Sequence, residues 1–199
     1  MIAIDIEASG VDYLKNSIIS IGAIDLDDKE KVFYGECSVW EGSHISPEAI
    51  VFLHMSEEDF RDSRKQSEAE LVEKFMRWVE SVNDRTLLGQ NVSFDRDFLK
   101  AACGRIHHDW PLAHRTVDTH SLCYMHHIKR GLKPPFDEEK HRTALNLDAI
   151  LVYCGIPEEP VPHNALTGAK SHAEVAYRLL YDKKLLPEFD QFDIPWLKV

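Results

Sequence analysis

No apolar run in this 199-residue sequence approaches the ~20 residues needed to cross a bilayer, which sets aside a helical membrane protein. Nor does a basic segment followed by an apolar run stand at the start. MIAIDIE passes straight into an alternating pattern, the reading expected of a cytoplasmic chain with no secretory leader. Cysteine is sparse. Cys37, Cys103, Cys123 and Cys154 are scattered and form no CxxC pair, so reduced thiols are expected in place of a disulfide framework. Positive charge is also in deficit: 23 Lys and Arg against 34 Asp and Glu leave a net charge of −11. That excludes broad coating of duplex DNA, which is driven by neutralising many phosphates. It leaves room for an enzyme that holds a few nucleotides, and acid can gather around cations that offset it locally. No internal repeat or domain boundary is visible, and the length and a 44% hydrophobic, 29% charged composition suit one ordinary globular domain.

What is present begins with strands. In 2–7, IAIDIE, Ile2, Ile4 and Ile6 point one way, while Ala3, Asp5 and Glu7 point the other. Segments 18–26 and 31–39 read as two more strands around the turn DDKE, giving an antiparallel meander. Pro47 suits the first turn of a short helix through about His54. Ser67 with Glu70 makes a capping box ahead of a helix with apolar residues at three and four. TLLGQ, 86–90, reads as a buried strand, and Ser93 is a candidate cap for the helix that follows. RTVDT, 115–119, reads as a strand with a helix behind it, and 131–143 as a loop. Asn146 starts LDAILVYC, closed by Gly155 and Pro157, and the last long helix runs from about Asn164 to Lys183. The pattern of three strands and then alternating helix and strand indicates an α/β mixed sheet covered by helices.

Certain residues can do chemistry. Asp5 and Glu7 share one face of an apolar strand and lie roughly 6–7 Å apart by strand rise. Unpaired charge on a buried strand is costly, and divalent cations with a taste for carboxylate oxygen would offset it; an edge strand with a solvated face would offset it equally. Asp95, in GQNVSFDRDF, sits near a helix start, where the helix dipole favours its charge; a first-turn surface acid would look the same. Cys103 with His107 and His108, and Cys123 with His126 and His127, lack the tight paired spacing of structural zinc sites. The charged run HHIKRGLKPPFDEEKHR reads either as a flap that grips phosphate or as a solvated loop.

Taken in order, Asp5–x–Glu7 at the first strand, Asn91–x–x–Phe94–Asp95 at a strand-to-helix junction, and His163 opening the last helix resemble the DEDDh family of 3′-to-5′ exonucleases. Proofreading exonucleases, ribonuclease T and oligoribonuclease are members. The resemblance covers the chain up to its tail. It implies a ribonuclease-H-like three-layer fold with a five-stranded mixed sheet whose first three strands are antiparallel. It implies an exonuclease domain over 1–186; the tail over 187–199, with Phe189, Phe192, Ile194 and Trp196, is by its own composition too apolar to float freely and is expected to pack on the domain or a partner, which leaves a homodimer open. It implies two Mg2+ or Mn2+ ions, one activating water and the other stabilising the leaving 3′ oxygen. By the motif match Asp5 would bridge both ions, Glu7 would bind the water-side ion, Asp95 would help hold the second, and His163 would take the proton from water, a role suited to imidazole. Ser9 and Gly10 fall where the family meets the terminal nucleotide, Asn91 belongs to the same surface, and Phe94 is either core or a wedge against the terminal base. The implied partner is a single-stranded nucleic-acid 3′ end, with no membrane, and the implied products are nucleoside monophosphates.

One position departs from the pattern. The family runs His–x–Ala–x–x–Asp–Ala into the last helix, whereas this sequence has His163–Asn164–Ala165–Leu166–Thr167–Gly168–Ala169. Gly168 takes the place of the fourth acid. The expected repair is His172, one helical turn on and leaning back toward the glycine, as a metal ligand directly or through water. The alternative is a catalytically weak or inactive protein of this fold that binds 3′ ends without cutting them.

Overall fold

A computed structural model describes residues 1–197 of the chain; Lys198 and Val199, the end of the expected apolar tail, lie outside the described residues. The alternation of Ile2, Ile4 and Ile6 yields a strand, β1 (Ile2–Ala8), and all three isoleucines are buried. Burying each is worth about 1.5–3 kcal/mol, which holds the strand in place although its other face carries carboxylates. The strand is central. Strands β2 (Ile18–Asp25) and β3 (Asp28–Glu36) extend the sheet antiparallel on one side, and β4 (Leu87–Gly89) and β5 (Thr116–Asp118) extend it parallel on the other, in the order β3-β2-β1-β4-β5. This is the five-stranded mixed sheet expected of the ribonuclease-H-like fold, and its central position for β1 rules out a solvated edge strand.

Helices cover both faces. Helix α1 (Pro47–Leu53) starts on Ser46, and α2 (Glu57–Phe60) on a capping box of Ser56 and Asp59. Helix α3 (Glu68–Glu80) starts on the expected box of Ser67 and Glu70. With α4 (Ser93–Arg105), α3 packs on the isoleucine face, where Leu71, Phe75, Phe98 and Leu99 are fully buried. Helix α5 (Thr119–Lys129) is capped by Asp118, and α6 (Leu147–Tyr153) by Asn146. Helix α7 (Ala165–Tyr181) lies across the opposite face, with Ala173 and Ala176 against Ala3, Ile24 and Leu88. Two details differ from the sequence reading. Ser93 is the first residue of α4 and caps nothing; its hydroxyl donates to Asn91 Oδ1 at 3.3 Å instead. The stretch 131–143 carries a small hairpin of β6 (Phe136–Asp137) and β7 (Arg142–Thr143).

The described part of the tail returns to the domain. Phe189 and Trp196 pack on the cluster of Ile150, Leu151 and Val175. Arg178, fully buried in α7, donates to the carbonyls of Cys154, Phe189 and Asp193, and pairs with the equally buried Glu174 at 2.7 Å. Glu174 Oε2 in turn accepts from the backbone N–H groups of Leu185 and Leu186. Among the described residues no helix is long and apolar enough to cross a membrane.

Candidate active site

The carboxylate face of β1 opens into a cavity of about 540 Å³ at the end of the sheet where β1 and β4 give way to loops. Asp5, Glu7, Asp95 and His163 all line it. Different elements bring them there. Strand pleat places Asp5 and Glu7 on the same side. Asp95 stands in the first turn of α4 and accepts the Ile6 N–H at 3.0 Å, so the strand itself fixes the angle of the carboxylate. His163 precedes the N-cap of α7, and that cap is anchored: Asn164 accepts from Leu166 and Thr167, and its Nδ2 donates to the Tyr34 hydroxyl at 2.9 Å. The start of α7 can reach the sheet because Gly22, paired with Asp5 across β1 and β2, has no side chain; a Cβ there would meet the Ala165 carbonyl at 2.2 Å.

Burial and mutual repulsion shape the charges. Burial first, then Asp95, Glu7 and Glu159, hold the Asp5 carboxyl well above the usual carboxylate range. Glu7 is pushed up to about 7 by burial and by Glu159. Asp95 is pushed up to about 8 by burial, although backbone N–H groups, including that of Ile6, pull the other way. Carboxylates that cannot all be charged together are a donor set for a hard divalent cation. Among the described residues, no three His, Cys, Asp or Glu side chains are placed so that together they could hold a metal ion. The fit to a cation therefore rests on donor chemistry and on one orphan: Glu159 Oε1 is buried with no hydrogen-bond partner.

Glu159 is the residue that sequence reasoning missed. It comes from the strap 155–164 between α6 and α7, and its Oε2 lies 3.5 Å from His163 Nδ1. The only trace in the sequence is EEP four residues before His163, in a stretch with no periodicity to aim it. Phe52, exposed on α1, was also missed; its ring stacks on the His163 imidazole at 4.5 Å between centroids, nearly parallel at 11°.

The other expected residues divide. Gly10 and Asn91 line the cavity, Asn91 with a left-handed φ of 51°. Phe94 lines the cavity and packs on Phe98, with ring centroids 4.7 Å apart. Ser9 does not reach the cavity as expected. It is fully buried; its hydroxyl donates to the His44 carbonyl at 2.8 Å and accepts from the Ser17 N–H at 2.9 Å, tying loop to loop beneath Gly10. His172 lies at the cavity wall, but both ring nitrogens are engaged by backbone. Nδ1 donates to the Ile4 carbonyl at 2.7 Å, and Nε2 accepts from the Gln90 N–H at 3.4 Å. Burial lowers its pKa to about 4. The geometry thus gives His172 a buttressing task between β1 and the end of β4, in place of the expected one as a cation ligand.

A family model described as exonuclease, named for ribonuclease T, matches residues 2–176. Over 120 residues the chain is 27% identical to DNA polymerase III subunit epsilon of Treponema pallidum (strain Nichols), a match that covers 60% of this chain and 53% of that protein. The chain therefore spans about half the length of that curated relative. The nuclease domain of 3′hExo, a DEDDh family member bound to rAMP, superposes with a TM-score of 0.67 at 16% identity, covering 93% of each chain. E. coli Exonuclease I in complex with a dT13 oligonucleotide superposes with a TM-score of 0.69 at 18% identity, covering 96% of this chain and 42% of that one.

Proposed function

Because the chain belongs to the exonuclease family of ribonuclease T and the DEDDh enzymes, we propose that it is a divalent-cation-dependent 3′-to-5′ exonuclease that releases nucleoside monophosphates from a single-stranded 3′ end. The observation that carries this reading is the convergence of Asp5, Glu7, Asp95 and His163, drawn from three distant parts of the chain, on one cavity. At about 540 Å³ the cavity is of a size to take a terminal nucleotide. The bound dT13 and rAMP of the two solved relatives lend support to a single-stranded end as substrate.

Asp5, Glu7 and Asp95 would hold the cations. When bound, a pair of Mg2+ or Mn2+ ions would activate water and stabilise the leaving 3′ oxygen. The chain's own residues do the rest. Glu159 beside Nδ1 and Phe52 on the ring face fix the His163 imidazole. A carboxylate at Nδ1 favours the tautomer with its hydrogen there, which leaves Nε2 to accept the proton of the attacking water. Gly10 presents backbone to the nucleotide, its missing Cβ leaving room for the Asn16 side chain, which a Cβ would meet at 2.5 Å, and Phe94 offers a ring face to its base. The buttress of His172 keeps β1 and the turn after β4 at a fixed separation, and so holds Asp5 relative to Asn91.

The test is a single-stranded oligonucleotide labelled at its 5′ end, incubated with Mg2+, Mn2+ or a chelator. The expected result is a ladder shortened from the 3′ end, release of mononucleotides, and no cleavage with chelator. Retention of the oligonucleotide without cleavage in every cation would overturn the reading and favour a protein that binds ends.

A further inference from the structure

Gly168 leaves α7 without an acid at the cavity, and the place cannot simply be refilled. A Cβ at 168 would lie 2.3 Å from Asp5 Oδ2 and 2.7 Å from its Cγ, so Asp5 already occupies that space. A fourth carboxylate is nonetheless in the pocket. The Glu159 side chain is nine-tenths buried and lines the same cavity as Asp5 and Glu7. Its two oxygens are in different situations. Oε2 stands 3.5 Å from His163 Nδ1, while Oε1 is buried and makes no hydrogen bond, although the Ser171 hydroxyl is close enough to the carboxyl to favour its charged form. A buried carboxylate oxygen left unsatisfied is costly and is found where something else completes it. The strap that delivers it carries Pro157, Pro160 and Pro162, whose fixed φ angles reduce the freedom lost in holding it there.

On the exonuclease reading above, we propose that Glu159 is the fourth acid of the cation centre, supplied by the strap before α7 in place of the helix position that Gly168 has vacated. One carboxylate then has two duties: Oε2 orients His163, and Oε1 is offered to a divalent cation. The donor set is all oxygen, which keeps the centre suited to Mg2+ as well as Mn2+, whereas a histidine ligand would shift it toward transition metals.

The experiment titrates the full chain with Mn2+ by calorimetry and by thermal melting, in wild type, Glu159→Gln and the exposed neighbour control Glu158→Gln, alongside wild-type cleavage of a single-stranded oligonucleotide. In Glu159→Gln, one Mn2+ should bind roughly 10–100-fold more weakly, and the Mn2+-induced rise in melting temperature should shrink. Glu158→Gln should match wild type in both. The metal-free melting temperature of Glu159→Gln should equal or exceed that of wild type, because a buried charge has been removed. Glu159→Met, of similar length and without oxygens, takes its place should the Gln variant fail to fold, with the same outcomes. Unchanged Mn2+ affinity and stoichiometry in the variant overturns the inference even if cleavage falls, and leaves the exonuclease reading intact where wild type cleaves. Absence of cleavage by wild type sinks the exonuclease reading itself, and absence of Mn2+ binding by wild type sinks both.

Discussion

Gly168 and Asp5 share one volume: the missing Cβ of the first would stand 2.3 Å from Oδ2, 2.7 Å from Cγ and 3.1 Å from Cβ of the second. Rotating Asp5 clears the first two contacts but not the third, because the Asp5 Cβ is fixed to β1. In an open helix, replacing glycine by alanine gains about 1 kcal/mol. Here Gly168→Ala should instead lose about 1–3 kcal/mol to overpacking, read by denaturant unfolding. Its cleavage rate should also fall, since Asp5 must turn away from the cavity. Gly168→Asp should be worse on both counts. A gain of activity in Gly168→Asp would show that the position is a vacancy and not a close contact.

Metal-free stability should depend on pH through the carboxylates, in a direction opposite to ordinary acid denaturation. Glu7, at about 7 against an ordinary 4.5, and Asp95, at about 8 against 3.8, bind protons more tightly folded than unfolded. The folded state therefore holds more protons across the window from about pH 4 to pH 8, and stability falls as pH rises through it. With chelator present, the melting temperature should decline over that range. Excess Mn2+ should abolish the decline, and Asp95→Asn should reduce it while keeping an oxygen for the Ile6 N–H. A metal-free melting temperature that rises from pH 5 to pH 8 would contradict the raised values.

His172 makes the opposite contribution. Its pKa, lowered to about 4 from an ordinary 6.5 by burial, means that the unfolded chain binds the extra proton first. Stability from this group is complete above about pH 6.5 and is lost as pH falls toward 4. His172→Ala should cost about 1–3 kcal/mol for each backbone group it orphans, the Ile4 carbonyl and the Gln90 N–H. It should also flatten the acid side of the stability curve while leaving Mn2+ affinity near that of wild type. A drop in Mn2+ affinity without loss of stability would return His172 to the cations.

Much of this was readable from residue order. The alternation in 2–7 foretold the strand and the face that carries Asp5 and Glu7, because strand pleat is local, but it left the strand's place at the centre or the edge of the sheet open. The box of Ser67 and Glu70 foretold where α3 starts, since its hydrogen bonds are local too. The second box, of Ser56 and Asp59, has a shorter acid at its third position and so departs from the Glu or Gln pattern that marks such a box in a sequence. Tertiary contacts were opaque. Helical spacing put His172 one turn after Gly168, as observed, but which backbone groups would claim its nitrogens depended on how closely α7 lies on β1 and β4. That closeness depends in turn on Gly22 and Gly168. Ser9 looked like a substrate contact by position, yet His44 and Ser17, from distant loops, take its hydroxyl. Glu159 was least legible of all, because an irregular strap has no period from which to read a direction.

The buried pair of Glu174 and Arg178 ties the tail to α7 and should dominate the stability of that region. Both side chains are fully buried, and together they bind Leu185, Leu186, Phe189, Asp193 and Cys154 through main-chain groups. Removing one partner strands the other charge in a dry interior, which costs about 3–5 kcal/mol. Arg178→Met leaves Glu174 with its two N–H donors but without its counter-charge, and releases the carbonyls of Phe189 and Asp193. The variant should unfold earlier, and limited proteolysis should cut within 185–197 before it touches the sheet. Replacing both residues with apolar side chains of similar volume should recover part of the loss, because desolvation of the pair offsets much of its attraction. If Arg178→Met melts within a degree of wild type and its tail stays resistant to protease, the pair does not anchor the tail, and apolar packing of Phe189 and Trp196 alone holds it.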